Sequence, residues 1–262
     1  MSSPTNRRYN QIGIDRLVRL RWLDRAAYLI LAGNEAVAVK AALRQELQGA
    51  FRSTSPSLRS SLDKTVTVLM HVWICSPRDL RPLRVKGLGL LAQLPREEHM
   101  AVHWGMTMAT YPFWGAVAAH VGRLLRLQGT VAASQVQRRL REQYGERETV
   151  SRRVRYILRS FVDWGVLEET PEKGIYTFGL SRTVERLELI AWLVEAFLHA
   201  QPDGSVSLRG LVNSPSLFPF RLAPVRVYDL VTVSGQLDVL RHGLDEGLVM
   251  LREVTGLGSE VR

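Results

Sequence analysis

Two groups of residues in this 262-residue chain have types and spacings that could support chemistry. His99 and His103 are four apart, a step that on a helix places two imidazoles on one face, and Glu97 and Glu98 stand just before them. A zinc-protease helix needs a glutamate directly after the first histidine, and the order here is Glu-His-Met-Ala-Val-His. No third ligand cluster follows, so the pair reads as surface or capping histidines rather than a metal site. Nucleophile patterns are equally thin. No G-x-S-x-G elbow or P-loop occurs, and Gly87 and Gly89 lack the third glycine of a dinucleotide fingerprint. Cys75, the single cysteine, ends an apolar run and reads as a small buried hydrophobe; alone it excludes an internal disulfide framework and fits a reducing compartment. The expectation is a protein that is not an enzyme and uses no cofactor.

The second group is basic. Only Lys40, Lys64, Lys86 and Lys173 are lysines among the 35 basic residues, so 31 are arginines, the side chain suited to bidentate phosphate and guanine contacts. A GC-rich genome would also favour arginine codons, so position says more than count. Residues 1–111 carry 16 basic and 8 acidic groups, 112–180 carry 11 and 7, and 181–262 carry 8 and 10. A polyanion should therefore meet the first two segments. Within the second, a helix is expected from Thr149 to Trp164. At about 100° per residue, with Arg152 at zero, Arg155 falls near −60° and Arg159 near −20°. Val150, Val154, Ile157, Leu158 and Phe161 fall between about 140° and 240°. An arginine stripe thus opposes an apolar stripe, as a recognition helix requires. Ser151 and Arg153 flank the basic stripe, Arg138, Arg139 and Arg141 lie on the preceding helix, and Lys173 marks a following turn, beside Glu172. These nine residues form the candidate DNA-binding set. An ordinary amphipathic helix with a basic solvated face is the alternative.

The elements that must position them follow from periodicity and punctuation. Residues 1–10 read as a flexible basic arm without the apolar core of a signal peptide. Helices are expected from about Leu17 to Leu31, from Glu35 to Phe51 and from Leu58 to Ile74; Arg78 to Leu94 is ambiguous, and Pro95 with Glu97 and Glu98 opens another helix. The longest nearly apolar runs, Val66 to Cys75 and Leu187 to Leu198, fall well short of the roughly 20 residues of a spanning helix, so no membrane is expected. After Tyr111-Pro112 come a helix to Leu127, a short strand at Thr130-Val131, a helix capped by Ser134 and running to Tyr144, and a helix capped by Thr149. A hairpin of residues 166–169 and 175–178 closes this set. That order is the winged helix-turn-helix plan. Beyond Ser181 a helix is expected over Thr183 to Ala200, then a loop with apolar anchors Leu217, Phe218 and Phe220, then a hairpin of Val225 to Val233 with Gln236 to Arg241. Tryptophans 22, 73, 104, 114, 164 and 192 fall on apolar stripes and read as core. The expected fold class is mainly α with small β: a basic helical domain over residues 1–110, a winged helix-turn-helix over 111–180 and an α+β segment with a β-hairpin over 181–262.

Three stretches add a resemblance. Tyr111-Pro112-Phe113-Trp114 leading into Val121-Gly122-Arg123-Leu124-Leu125, then Ser216-Leu217-Phe218-Pro219-Phe220, then Gly243-Leu244-Asp245-Glu246 resemble, in order and spacing, the BrxA family of BREX phage-exclusion systems. The resemblance spans most of the chain through short, apolar motifs. It implies a small accessory protein with a winged-helix part and a helical part similar to the antiterminator NusB, binding DNA without enzymatic activity beside other defence-system proteins. The expected partner is double-stranded DNA, with RNA as a variant, and the expected location is the cytoplasm, with association with the nucleoid as a variant. A face rich in arginine and lacking Asn or Gln to pair with adenine predicts backbone contacts of low sequence specificity. A protein-interaction adaptor using the winged helix and the C-terminal hairpin is the alternative from a different class.

Overall fold

Apolar spacing accounts for most helices of the computed structural model, which describes residues 8–51, 56–242 and 246–252. The chain is mainly helical with small β-sheets. Helices α1 (Leu20–Leu31), α2 (Ala36–Gln48) and α3 (Pro56–Trp73) come first. The ambiguous stretch resolves into a 3-10 turn at Arg78–Leu80 and helix α4 (Arg81–Gln93). Helix α5 (Arg96–Thr110) follows Pro95 as N-cap, with Glu97 and Glu98 complementing the dipole of its first turn.

The middle of the chain runs α6 (Pro112–Gln128), β1 (Thr130–Ala132), α7 (Ala133–Tyr144), α8 (Glu148–Asp163), β2 (Leu167–Glu169) and β3 (Ile175–Phe178). Strand β3 is central in an antiparallel sheet of order β1-β3-β2, with Val131 opposite Tyr176 and Glu168 opposite Thr177. Gly129 and Gly165, both at positive φ, close α6 and α8. Two expected caps are corrected. Ala132 and Arg147 occupy the N-cap positions of α7 and α8, so Ser134 and Thr149 lie inside the first turns.

The remainder departs further from expectation. Residues expected to open a helix at Thr183 instead form β4 (Arg182–Val184), which pairs in parallel with β6 (Phe220–Leu222); helix α9 spans only Leu187–His199. Strand β5 (Ser205–Ser207) and helix α10 (Leu208–Val212) follow it. The β-branched run expected as a strand forms helix α11 (Val227–Val233), where the Asp229 carboxylate accepts from the Arg226 N–H and Leu230 is buried. The terminal hairpin therefore pairs β7 (Leu237–His242) with β8 (Glu246–Leu251), and β8 also pairs with β5.

All six tryptophans are buried. Trp104 of α5 packs against Phe161 of α8 with ring centroids 4.8 Å apart, and Trp114, Trp164, Phe218 and Phe220 lie within 5.3–6.3 Å of the same indole. This cluster joins residues from all three expected segments in one core, so the C-terminal part packs on the middle of the chain. The contact is close. A Cβ at Gly122 of α6 would stand 2.7 Å from the Pro215 carbonyl oxygen and 2.9 Å from Phe218 Cβ. Two of the three stretches that carry the family resemblance therefore touch each other. In the third, residues 243–245 lie outside the described residues, and Glu246 opens β8. Among the described residues no helix is long and apolar enough to cross a membrane.

The histidine and cysteine readings are both corrected. His99 and His103 are buried, not at the surface, because α5 crosses the core. The Trp73 indole N–H donates to His103 Nδ1 (3.0 Å), so His103 Nε2 carries the proton and donates to Asp24 Oδ1 (2.8 Å). Burial holds the His103 pKa below the ordinary imidazole value and the ring neutral, outweighing the hydrogen bond and charge of Asp24, which act the other way. For Asp24, burial opposes ionisation, but its hydrogen bonds with His103 and His99 outweigh it and hold the carboxyl below its usual value. Both ring nitrogens of His103 are spent on structure. Cys75 is exposed, because α3 ends at Trp73 and the chain turns outward before Pro77.

Candidate nucleic-acid interface

Helix α8 presents the two opposed faces that the sequence requires. Val150, Val154, Ile157, Leu158 and Phe161 are fully buried, whereas Arg152, Arg155 and Arg159 are exposed. The remaining candidates divide. Ser151 is buried, a correction: at about −100° from Arg152 it faces α7, where its hydroxyl accepts from Arg141 (3.4 Å) and its carbonyl from Gln137 (3.3 Å). It has no surface to offer a ligand. Arg153 is half-buried and donates to the carbonyls of Ile12 and Gly13, and burial lowers its pKa from the ordinary guanidinium value. It therefore acts as an anchor for the N-terminal segment.

That segment is the feature sequence reasoning missed. Residues 1–7 of the expected flexible arm lie outside the described residues, but Arg8 is docked, donating to Asp79 Oδ2 (2.8 Å) and to the His199 carbonyl (3.0 Å). From Ile12 to Arg19 the chain then runs alongside α8 in the same direction. Arg153 holds Ile12 and Gly13, Arg16 lies over the Tyr156 ring at 5.8 Å, and the Val18 N–H donates to Ser160 Oγ (2.9 Å). The Trp164 indole N–H donates to the Val18 carbonyl (2.9 Å), and Arg19 pairs with Asp163 (2.8 Å). Asp163 also accepts from the Leu20 N–H and so caps α1. Ile14 and Val18 are fully buried. The available signals were the alternating Ile12, Ile14 and Val18 and the out-of-phase Ser160, which back-bonds to the Tyr156 carbonyl while accepting from the Val18 N–H.

The arginines of α7 face different neighbours. Arg141 reaches α8 and pairs with Glu146 (3.1 Å). Arg138 and Arg139 share Glu142 and line a groove of about 710 Å³ between α6 and α7, with His120, Arg123 and the exposed Leu127. Lys173 is exposed in the turn between β2 and β3. Arg155 is partly neutralised by Glu148 at 2.9 Å; Arg152 and Arg159 make no ion pair among the described residues. The surface thus centres on three arginines of α8, with Arg147 exposed at its N-cap and the β2–β3 turn beyond. Such a face can bind polyanions through charge-assisted hydrogen bonds. No group of three or more His, Cys, Asp or Glu side chains arranged to hold a metal occurs among the described residues.

No protein-family model, no curated protein and no solved structure matches this chain.

Proposed function

We propose that this chain binds duplex DNA, mainly through backbone contacts with low sequence specificity, as a non-enzymatic accessory protein of a bacterial anti-phage defence system. The carrying observation is the exposed Arg152–Arg155–Arg159 face set directly opposite a fully buried apolar stripe. The surrounding order α6-β1-α7-α8-β2-β3 with sheet order β1-β3-β2 supports reading residues 111–180 as a winged helix-turn-helix, α8 being its recognition helix. The defence role, the NusB-like reading of the helical N-terminal part, the cytoplasmic location and a place beside other defence-system proteins rest on the family resemblance alone. An adaptor role is the second reading, favoured by the α6–α7 groove, where basic side chains surround the exposed Leu127.

Salt titration of binding to a labelled random duplex separates the two. Counterion release predicts that log K falls with log salt by about 0.9 for each phosphate neutralised. With three arginines at the centre, the expected slope is about −2 to −3. Absence of binding even at low salt would overturn the DNA reading and leave the adaptor. A single-stranded RNA of equal length serves as competitor, and its tighter binding would reassign the partner.

A further inference from the structure

We infer that the N-terminal strap, residues 12–19, keeps α8 out of the major groove, so that its arginines meet phosphates on the groove's rims and not base edges. This rests on the duplex-binding reading and specifies its mode. Around α8, the core and Leu158 take one side, Ser151 and α7 the next, and the strap covers the flank of Arg153, Tyr156 and Ser160. At about 100° per residue, the arc left open is about 120° wide, from near −100° at Ser151 to about +20° at Asp163. Within it lie the half-buried Val162 near the Ser151 edge, then Arg155, Glu148, Arg159 and Arg152, and the Glu148 carboxylate is one that base-edge acceptors and phosphates alike disfavour.

Width makes the same point. A helix with its side chains is about 10–12 Å across, and the major groove is about 12 Å wide, so a bare helix fits. An extended chain alongside adds about 5 Å, giving a ridge of about 15–17 Å that does not enter. The strap does not leave easily. It is held by Arg153 at one end, by reciprocal bonds with Ser160 and Trp164 through Val18, by the Arg19–Asp163 pair, and by burial of Ile14 and Val18. Long arginines projecting from a ridge resting across the groove can still reach the two phosphate rows.

Two measurements on the full chain test this. The first is affinity for a plain duplex against one whose cytosines carry glucosylated 5-hydroxymethyl groups, which fill the major groove and leave the backbone intact. The second is dimethyl sulfate protection of guanine N7 in the complex. The expected result is affinities within about twofold and no N7 protection, because N7 lies in the groove. Loss of about tenfold or more on the glucosylated duplex, or clear N7 protection, would overturn the inference while leaving duplex binding intact. Failure to bind either duplex would overturn the duplex reading itself, and the inference with it. Arg153→Ala tests the cause. Where hydrogen exchange shows residues 12–19 loosened in this variant, N7 protection should appear; loosening without it would show that the strap is not what holds the helix out.

Discussion

Phe161→Ala is the perturbation that most directly tests the frame holding the arginine face. Phe161 is fully buried, with ring centroids 4.8 Å from Trp104, 4.9 Å from Trp114 and 6.3 Å from Phe218. Truncating a fully buried phenylalanine costs about 3–5 kcal/mol, from lost transfer free energy and the cavity left behind. Neighbours drawn from α5, α6 and the loop that carries Phe218 cannot all collapse into one vacancy, and three lost ring contacts add to the cost, which argues for the upper half of that range. For a chain of this size about 2–4 °C of melting temperature accompanies each kcal/mol, so a fall of roughly 8–20 °C is expected. Intrinsic tryptophan fluorescence is a suitable signal, since Trp104 and Trp114 border the cavity directly. Arg159→Ala, two residues away on the opposite face, is the internal control and should lie within about ±0.5 kcal/mol. A Phe161→Ala loss below about 1 kcal/mol would mean that α8 is rotated from the phase described. The exposure of Arg152, Arg155 and Arg159 would fall with it.

Three further outcomes are expected. The triple replacement of Arg152, Arg155 and Arg159 by alanine should weaken duplex binding by about tenfold or more and shorten the salt slope, with the melting temperature nearly unchanged; equal affinity in the folded variant would remove α8 from the interface. Gly122→Ala should destabilise by about 1–3 kcal/mol, because the new methyl meets the Pro215 carbonyl, and backbone cannot swing aside as a flexible side chain can; an unchanged urea midpoint would show the loop to be loosely docked. The third concerns pH. Burial lowers the pKa values of His71, His103, His120 and His199, the last to about 4, so the unfolded chain binds more protons below about pH 6.5. Stability should be fully present above that pH and decline toward pH 4, opposed only in part by Glu195, whose carboxyl is pushed up by burial. A urea midpoint that rises between pH 7 and pH 5 would contradict the assignment of neutral buried histidines.

What could be read from the sequence divides by the range of the interaction. Helices α6 and α8 and the hairpin after α8 were legible because local periodicity and glycine stops at Gly129 and Gly165 specify them without distant partners. Val227–Val233 was misread because a β-branched run favours a strand by propensity, whereas one carboxylate at Asp229 and one anchor at Leu230 decide for a helix. His99 and His103 were misread because burial of a polar pair depends on partners 30 to 79 residues away, Trp73 and Asp24, which no spacing rule connects. Ser151 and Arg153 were placed at the interface because a helical wheel knows only one helix. It assigns every residue outside the apolar stripe to solvent, while α7 and the strap each claim a further sector of α8. The same omission enlarges the apparent DNA-binding face. Counted by sequence alone, α8 offers four arginines and a serine to a ligand; with its neighbours in place it offers three arginines, one of them already paired with Glu148. That reduction matters for function, because base reading needs several donors in fixed register on an open arc, whereas phosphate binding needs only charge within reach. The contacts that fix the N-terminal strap thus also narrow what this helix can recognise.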